Sequence, residues 1–184
     1  SDLESAHFKL LLGCTAMQNS QIISLFPTEI LQSSLQNSAV LNALLVDEVM
    51  QLKASRPSVH KTNVGGWHSA PDLQFAQLPA IQQFVSEISA RLTAWAGQYF
   101  QLPTALDPKL WQIELWANCN EQGHFNKAHD HFRSGIVASG FYYVRCGGPA
   151  VGGETVFINQ QSCPANIKVN FPLRIAEYQV TPVD

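Results

Sequence analysis

Apolar residues recur at helical spacing in two stretches of the chain. Between Ser38 and Ser55, Leu41, Leu44, Leu45, Val49 and Leu52 fall on one side of a 3.6-residue period. The spacing predicts a helix over this interval, with Asn37 or Ser38 as its cap. From Gln77 to Phe100 the stripe is longer and continuous: Ile81, Phe84, Val85, Ile88, Leu92, Trp95 and Tyr99. Pro79 suits the first turn of that helix, where its missing N–H costs nothing. The aromatic members of the stripe read as core rather than as a cofactor box. Both helices are expected to pack on the outer face of one sheet.

The remaining apolar stretches read as extended chain. Ile22–Leu31, interrupted by Pro27, predicts an edge strand pair of a larger sheet. In Lys109–Cys119, Trp111, Ile113, Leu115 and Ala117 share one face, and Gln112, Glu114, Trp116 and Asn118 share the other. A polar row carrying one tryptophan lines a cavity if it faces inward and is plain surface if it faces outward. Gly135–Val144 alternates loosely but is rich in Val, Ile, Phe and Tyr. Its Ser139-Gly140 pair marks either a bulge or close approach of a ligand. Cys146–Gly153 is a turn by composition. Glu154–Ile158, Asn166–Phe171 and Arg174–Val180 are further strand candidates, the last two separated by Pro172. Residues 58–71 form a polar, glycine-containing loop, the kind of segment that often carries function. Within it, Trp67 and His68 either face a substrate mouth, or Trp67 plugs one end of the fold and His68 is solvated.

Composition narrows the class. The 184 residues suit a single domain. Residues 1–20 read as an N-terminal extension, 21–108 as a strand pair with buttressing helices and the polar loop, and 109–184 as the core that carries the chemistry. The extension has an acidic start and lacks the positive charge of a secretory signal. A net charge of −3 leaves no basic footprint for nucleic acid. No apolar run approaches the length of a membrane span. Cys14, Cys119, Cys146 and Cys163 are dispersed with no Cys-x-x-Cys pair, as in a reducing cytoplasm. An edge strand would permit a homodimer.

The candidate chemistry is concentrated around the histidines. His124, His129 and His131 are three of the chain's six and lie within eight residues. On a strand, residues two apart project together, so His129 and His131 would point one way and Asp130 the other. Paired neutral imidazoles suit iron, zinc, copper or nickel. The competing reading is a solvated polar loop that holds no ion.

The flanking residues extend the pattern. His129-x-His131, then Tyr142-Tyr143-Val144, then Gly152-Gly153-Glu154-Thr155-Val156-Phe157 resembles the core of the 2-oxoglutarate- and Fe(II)-dependent oxygenases. The last stretch is similar to the prolyl 4-hydroxylase branch. Gly65-Gly66-Trp67, Trp116-x-Asn118-x-Asn120-x-x-Gly123 and Ser139-Gly140-x-Tyr142-Tyr143-Val144 resemble, in the same order, a group of uncharacterised bacterial oxygenases. The resemblance covers residues 64 to 158.

The resemblance implies a mainly β, α+β fold: a double-stranded β-helix, that is, a jelly-roll or cupin-like barrel, buttressed by the two helices. It implies a dioxygenase that uses Fe(II) and 2-oxoglutarate to hydroxylate a small-molecule or peptide substrate. His129 and His131 would be metal ligands. The family's usual carboxylate position is occupied by His131, so the site is either all-histidine or recruits Asp130 by a local twist; strand parity favours His129 with His131. Asn118, Asn120 and Tyr142 would contact the cofactor, Tyr142 being chosen over Tyr143 by parity with Gly140. In the family a distal histidine and a carboxylate-binding arginine follow on later strands. No histidine follows His131 here, so the third ligand is expected outside the sequence; Lys168 and Arg174 read as surface charges rather than carboxylate clamps. The alternative is a non-catalytic, cupin-like barrel that binds a metal or small acid. A zinc hydrolase using Glu114 or Glu121 ranks last, for lack of a His-Glu-x-x-His pattern.

Overall fold

The computed structural model describes residues 29–100, 107, 112–131, 135–148, 151–158 and 177–182. Residues Gln36–Asp184 form one compact unit and Ser1–Leu35 another. Of the latter only residues 29–35 are described, and they carry no regular structure. The Ile22–Leu31 strand expectation lies largely outside the described residues, and the Asn166–Phe171 expectation wholly so.

The larger unit runs α1 (Ser38–Ser55), β1 (Asn63–Val64), β2 (Trp67–His68), a 3-10 turn (Leu73–Phe75), α2 (Pro79–Tyr99), β3 (Asn118–Cys119), β4 (Phe125–Asn126), β5 (Thr155–Ile158) and β6 (Glu177–Val180). Helix α1 occupies the interval its periodicity predicts. It buries Leu41, Leu45 and Leu52, while Leu44 stays exposed, so its apolar stripe is narrower than the sequence suggests. Asn37 sits at the cap with a left-handed φ of 53°, but its side chain makes no cap bond. Helix α2 has Pro79 in its first turn and buries Ala80, Ile81, Phe84 and Ala96.

One side chain fastens the two helices. The first N–H groups of a helix lack intrahelical partners and carry positive partial charge. At the start of α2, Ala80 N–H and Ile81 N–H donate to the two carboxylate oxygens of Glu48 on α1, each at 2.9 Å. Glu48 thus caps α2 from a neighbouring helix, a role that no local capping pattern in the sequence reveals. Gln82, one turn further on, donates to the carbonyls of Gln74 and Ala76 at 3.1 and 2.7 Å and ties the 3-10 turn to the same helix.

The expected barrel is not what forms. The described residues hold three separate two-stranded antiparallel pairs, β1–β4, β2–β3 and β5–β6, and no closed barrel. Residues 135–144, read as a strand, join no ladder, and neither does His129–His131. The reason is visible in how 141–144 meets β5 and β6. It crosses them with side chains rather than docking by backbone. The Tyr143 hydroxyl reaches Gly153 O at 3.0 Å, Thr155 Oγ1 at 2.8 Å and Val180 O at 3.3 Å. Phe141 packs on Tyr143 and Phe157, with ring centroids 5.3 and 6.2 Å apart. Val, Ile, Phe and Tyr favour strands because they pack well on pleated surfaces; here Phe141 and Tyr143 make ring contacts without extending the sheet, and Ile136 and Val137 stay exposed. The row Gln112, Glu114 and Asn118 is exposed, so it lines no enclosed cavity among the described residues. No helix among these residues is long and apolar enough to cross a membrane.

Replacing Glu48 by Ala should cost about 2 kcal/mol, since two charge-assisted hydrogen bonds and a helix cap are lost together. In a domain of this size that lowers the melting temperature by about 4–8 °C. Glu48→Gln, which keeps one acceptor oxygen, should lose less. An unchanged melting temperature in Glu48→Ala would show that the cap is not a stabilising contact.

Candidate functional site

Two stretches far apart in sequence, 63–73 and 115–126, lie antiparallel and build the site. Asn63 pairs with Asn126 and Val64 with Phe125. Trp67 then pairs with Cys119 and His68 with Asn118. Beyond them, Ser69 N–H donates to Ala117 O at 3.0 Å and Leu73 N–H to Leu115 O at 3.1 Å. Ser69 is fully buried, and its hydroxyl oxygen also accepts from Ala117 N–H at 3.0 Å. On its other edge, His68 O accepts from Val59 N–H at 2.8 Å.

Between the two paired pieces, one side has only Gly65 and Gly66, and the other has the five residues Asn120–His124. The longer side folds over the shorter. Both glycines have positive φ, 68° and 62°. A Cβ on Gly65 would strike the His124 ring, and one on Gly66 would strike the Asn120 side-chain oxygen. The Gly-Gly pair is therefore required twice, by backbone conformation and by close approach. The loop closes on itself through Glu121 N–H donating to His124 Nδ1 at 3.0 Å and His124 N–H donating to Glu121 O at 3.0 Å.

This pairing aligns a series of rings. Residues directly opposite in an antiparallel pair share a face, and a residue two further along is a diagonal neighbour within reach of an aromatic ring. His68 faces Asn118, so Trp116 is its diagonal neighbour. Their rings stack with centroids 6.0 Å apart and planes 7° apart. The same indole meets His131 at 6.0 Å and 31°. His131 in turn meets His129 at 5.0 Å, nearly edge-on at 73°. His68 is buried, Trp116 and His131 are half-buried, and His129 is exposed. The rings thus lead from the interior to the surface.

The hydrogen bonds set two tautomers. A backbone carbonyl only accepts, so the ring nitrogen facing it must carry a proton. His68 Nδ1 donates to Ser69 O at 2.6 Å and His129 Nδ1 donates to Lys127 O at 2.8 Å. When neutral, each ring therefore presents an unprotonated Nε2. That arrangement, one nitrogen anchored to a carbonyl and the other offered, is typical of metal-binding histidines.

The other residues singled out from the sequence are placed as follows. Trp67 is buried and donates from Nε1 to Arg56 O at 3.0 Å, and His68 is buried rather than solvated. Asn118 and Asn120 are exposed on the 115–126 stretch. Tyr142 turns to the helices: its hydroxyl donates to Asn42 Oδ1 at 2.7 Å and its ring packs 5.0 Å from Phe84. Asp130 and Glu114 are exposed. Glu121 forms a surface pair with Lys53 at 3.5 Å. Lys168 and Arg174 lie outside the described residues. A shallow groove of about 390 Å³ runs between α1 and Val144–Arg145, lined by none of the candidate ligand or cofactor-contact residues. Among the described residues, no group of three or more His, Cys, Asp or Glu side chains is placed to hold a metal ion. Nothing local in the sequence marks His124 as a structural clamp or Trp116 as a neighbour of the histidines. The diagonal relation to His68 would have found Trp116 once the pairing register was known.

No protein-family model, no curated protein and no solved structure matches the chain.

Gly66→Ala should destabilise the protein by about 1–3 kcal/mol, because the left-handed backbone and the Asn120 contact both oppose a methyl group. A urea midpoint equal to that of the parent chain would contradict this. Cys119, half-buried on β3, has its thiol pKa raised by burial, an effect partly offset by the positive charges of Lys53 and Arg145. Its alkylation by iodoacetamide, followed by peptide mass spectrometry, should therefore show a pH midpoint above the ~8.5 of an ordinary thiol. A midpoint at or below that value would contradict the burial effect.

Proposed function

We propose that the chain is a 2-oxoglutarate- and Fe(II)-dependent dioxygenase in which His129 and His131 supply two imidazole ligands to one mononuclear iron. The observation that carries this reading is the pair itself. The two rings meet nearly edge-on with centroids 5.0 Å apart, and the Lys127 carbonyl anchors His129 so that Nε2 is the offered nitrogen. Imidazole nitrogen fits a divalent first-row metal. The sequence resemblance across residues 64 to 158 is what favours iron and a keto-acid over the other metals that imidazole accepts.

When bound, iron with 2-oxoglutarate supplies the oxidising power to hydroxylate a C–H bond. The chain's own residues do the rest. His129 and His131 hold the metal. The exposed amides of Asn118 and Asn120 stand on the same antiparallel segment as Trp116 and are the groups we assign to a carboxylate of the cofactor. Tyr142 takes no part in this reading, since its hydroxyl already donates to Asn42. Any further protein ligand comes from outside the described residues. The dispersed cysteines support a cytoplasmic setting.

A second reading, a metal- or small-acid-binding module without catalysis, is favoured by one observation: among the described residues no group of three or more His, Cys, Asp or Glu side chains is placed to hold an ion. Anaerobic titration with Fe(II) and 2-oxoglutarate, followed by the metal-to-keto-acid absorption band, separates the two. The parent chain should develop the band, and His129→Ala and His131→Ala should each lose it. Succinate release on admitting O2 is the expected outcome for the dioxygenase. A band without succinate across a broad substrate panel supports the binding module, and no band at all removes the iron reading.

A further inference from the structure

Trp116 is unexplained by its backbone segment alone. It is half-buried in an otherwise exposed polar row, and its indole contacts two imidazoles from different segments. One of these, His68, is held rigidly. It is buried, its backbone is paired on both edges, and its ring is pinned through Nδ1 to Ser69 O at 2.6 Å. The other, His131, lies in a segment without regular structure, and no backbone ladder fixes it. A flat indole set against a fixed imidazole offers a fixed surface to the second one. Aromatic ring pairs prefer defined relative geometries beyond simple burial, which favours one ring orientation.

We propose that Trp116 is a positioning residue for the metal pair: backed by His68, it orients the His131 ring so that His129 and His131 present to one ion. This rests on the reading of His129 and His131 as metal ligands. It accounts for the observation that a loop-borne histidine pair meets in ring contact without a strand to align it. It also explains why the two stretches must pair in the observed register. A shift of one residue would send Trp116 to the opposite face from His68.

The test is Co(II) affinity of the full chain, followed by the visible ligand-field absorption of the bound ion, with no turnover required. Three Trp116 variants separate stacking from bulk. Trp116→Phe keeps a flat ring, Trp116→Leu keeps apolar bulk without a planar face, and Trp116→Ala keeps neither. The melting temperature of each is measured alongside, and Trp116→Leu carries the comparison should Trp116→Ala unfold. Neighbours that orient a metal-bound histidine affect affinity by about 10–100-fold, so Trp116→Leu should bind Co(II) at least about tenfold more weakly, with an altered absorption envelope. Trp116→Phe should stay within about threefold of the parent, and His68→Ala should fall between them. A Trp116→Leu affinity equal to that of the parent overturns the positioning role and leaves the His129–His131 site standing. Equal losses in Trp116→Leu and Trp116→Phe overturn it as well, because phenylalanine preserves the stacking. A parent chain that binds no Co(II) overturns the metal reading and this inference together.

Discussion

The close antiparallel approach of residues 63–73 to residues 115–126 is the constraint on which the site depends. It joins two segments about fifty residues apart and leaves no room for a side chain at its centre, where Gly65 and Gly66 lie beneath His124 and Asn120. Ser69 locks it by bonding Ala117 through both backbone and hydroxyl in a fully buried position. The buried hydroxyl is satisfied on both sides, donating to Ala70 O at 2.8 Å and accepting from Ala117 N–H at 3.0 Å, and the second bond exists only in this register. Once that register is set, the stacking of His68 on Trp116 follows from the pairing geometry, and the same indole meets His131 from a segment outside the ladder.

The helices serve the same region at one remove. Glu48 joins α1 to the first turn of α2, and the 3-10 turn between β2 and α2 is stitched to both α2 and the 115–119 segment. In the last of these bonds the Gln74 side chain accepts from Leu115 N–H at 2.9 Å. The backbone that carries Trp116 is therefore held from the helical side as well as by its strand partner. Tyr142 completes the link from a third direction, with its ring on Phe84 of α2 and its hydroxyl on Asn42 of α1. These are polar contacts made at partly buried positions, where a satisfied hydrogen bond fixes orientation more than it adds net stability.

The barrel expectation failed at a specific point. The 135–144 stretch has strand composition, yet it meets β5 and β6 through Tyr143, Phe141 and Phe157 rather than through its backbone. Composition reports which surfaces a side chain packs well against, but not which backbone partner is on offer. The same limit applies to His129 and His131. Their two-residue spacing was read as strand alternation, but the rings come together in a segment without regular structure.

What the sequence determined by itself is local. The 3.6-residue period placed both helices, and Pro79 suited the first turn of α2. These follow from backbone geometry over a few residues, which one chain segment specifies unaided. What only the tertiary structure decided is every relation across long separations. It assigned Glu48 to the end of another helix, Gly65 and Gly66 to the underside of a distant loop, Tyr142 to the helices, and Trp116 to the space between His68 and His131. Each depends on a pairing register or a packing choice that many segments settle jointly. No window of sequence contains the partner that makes the contact favourable.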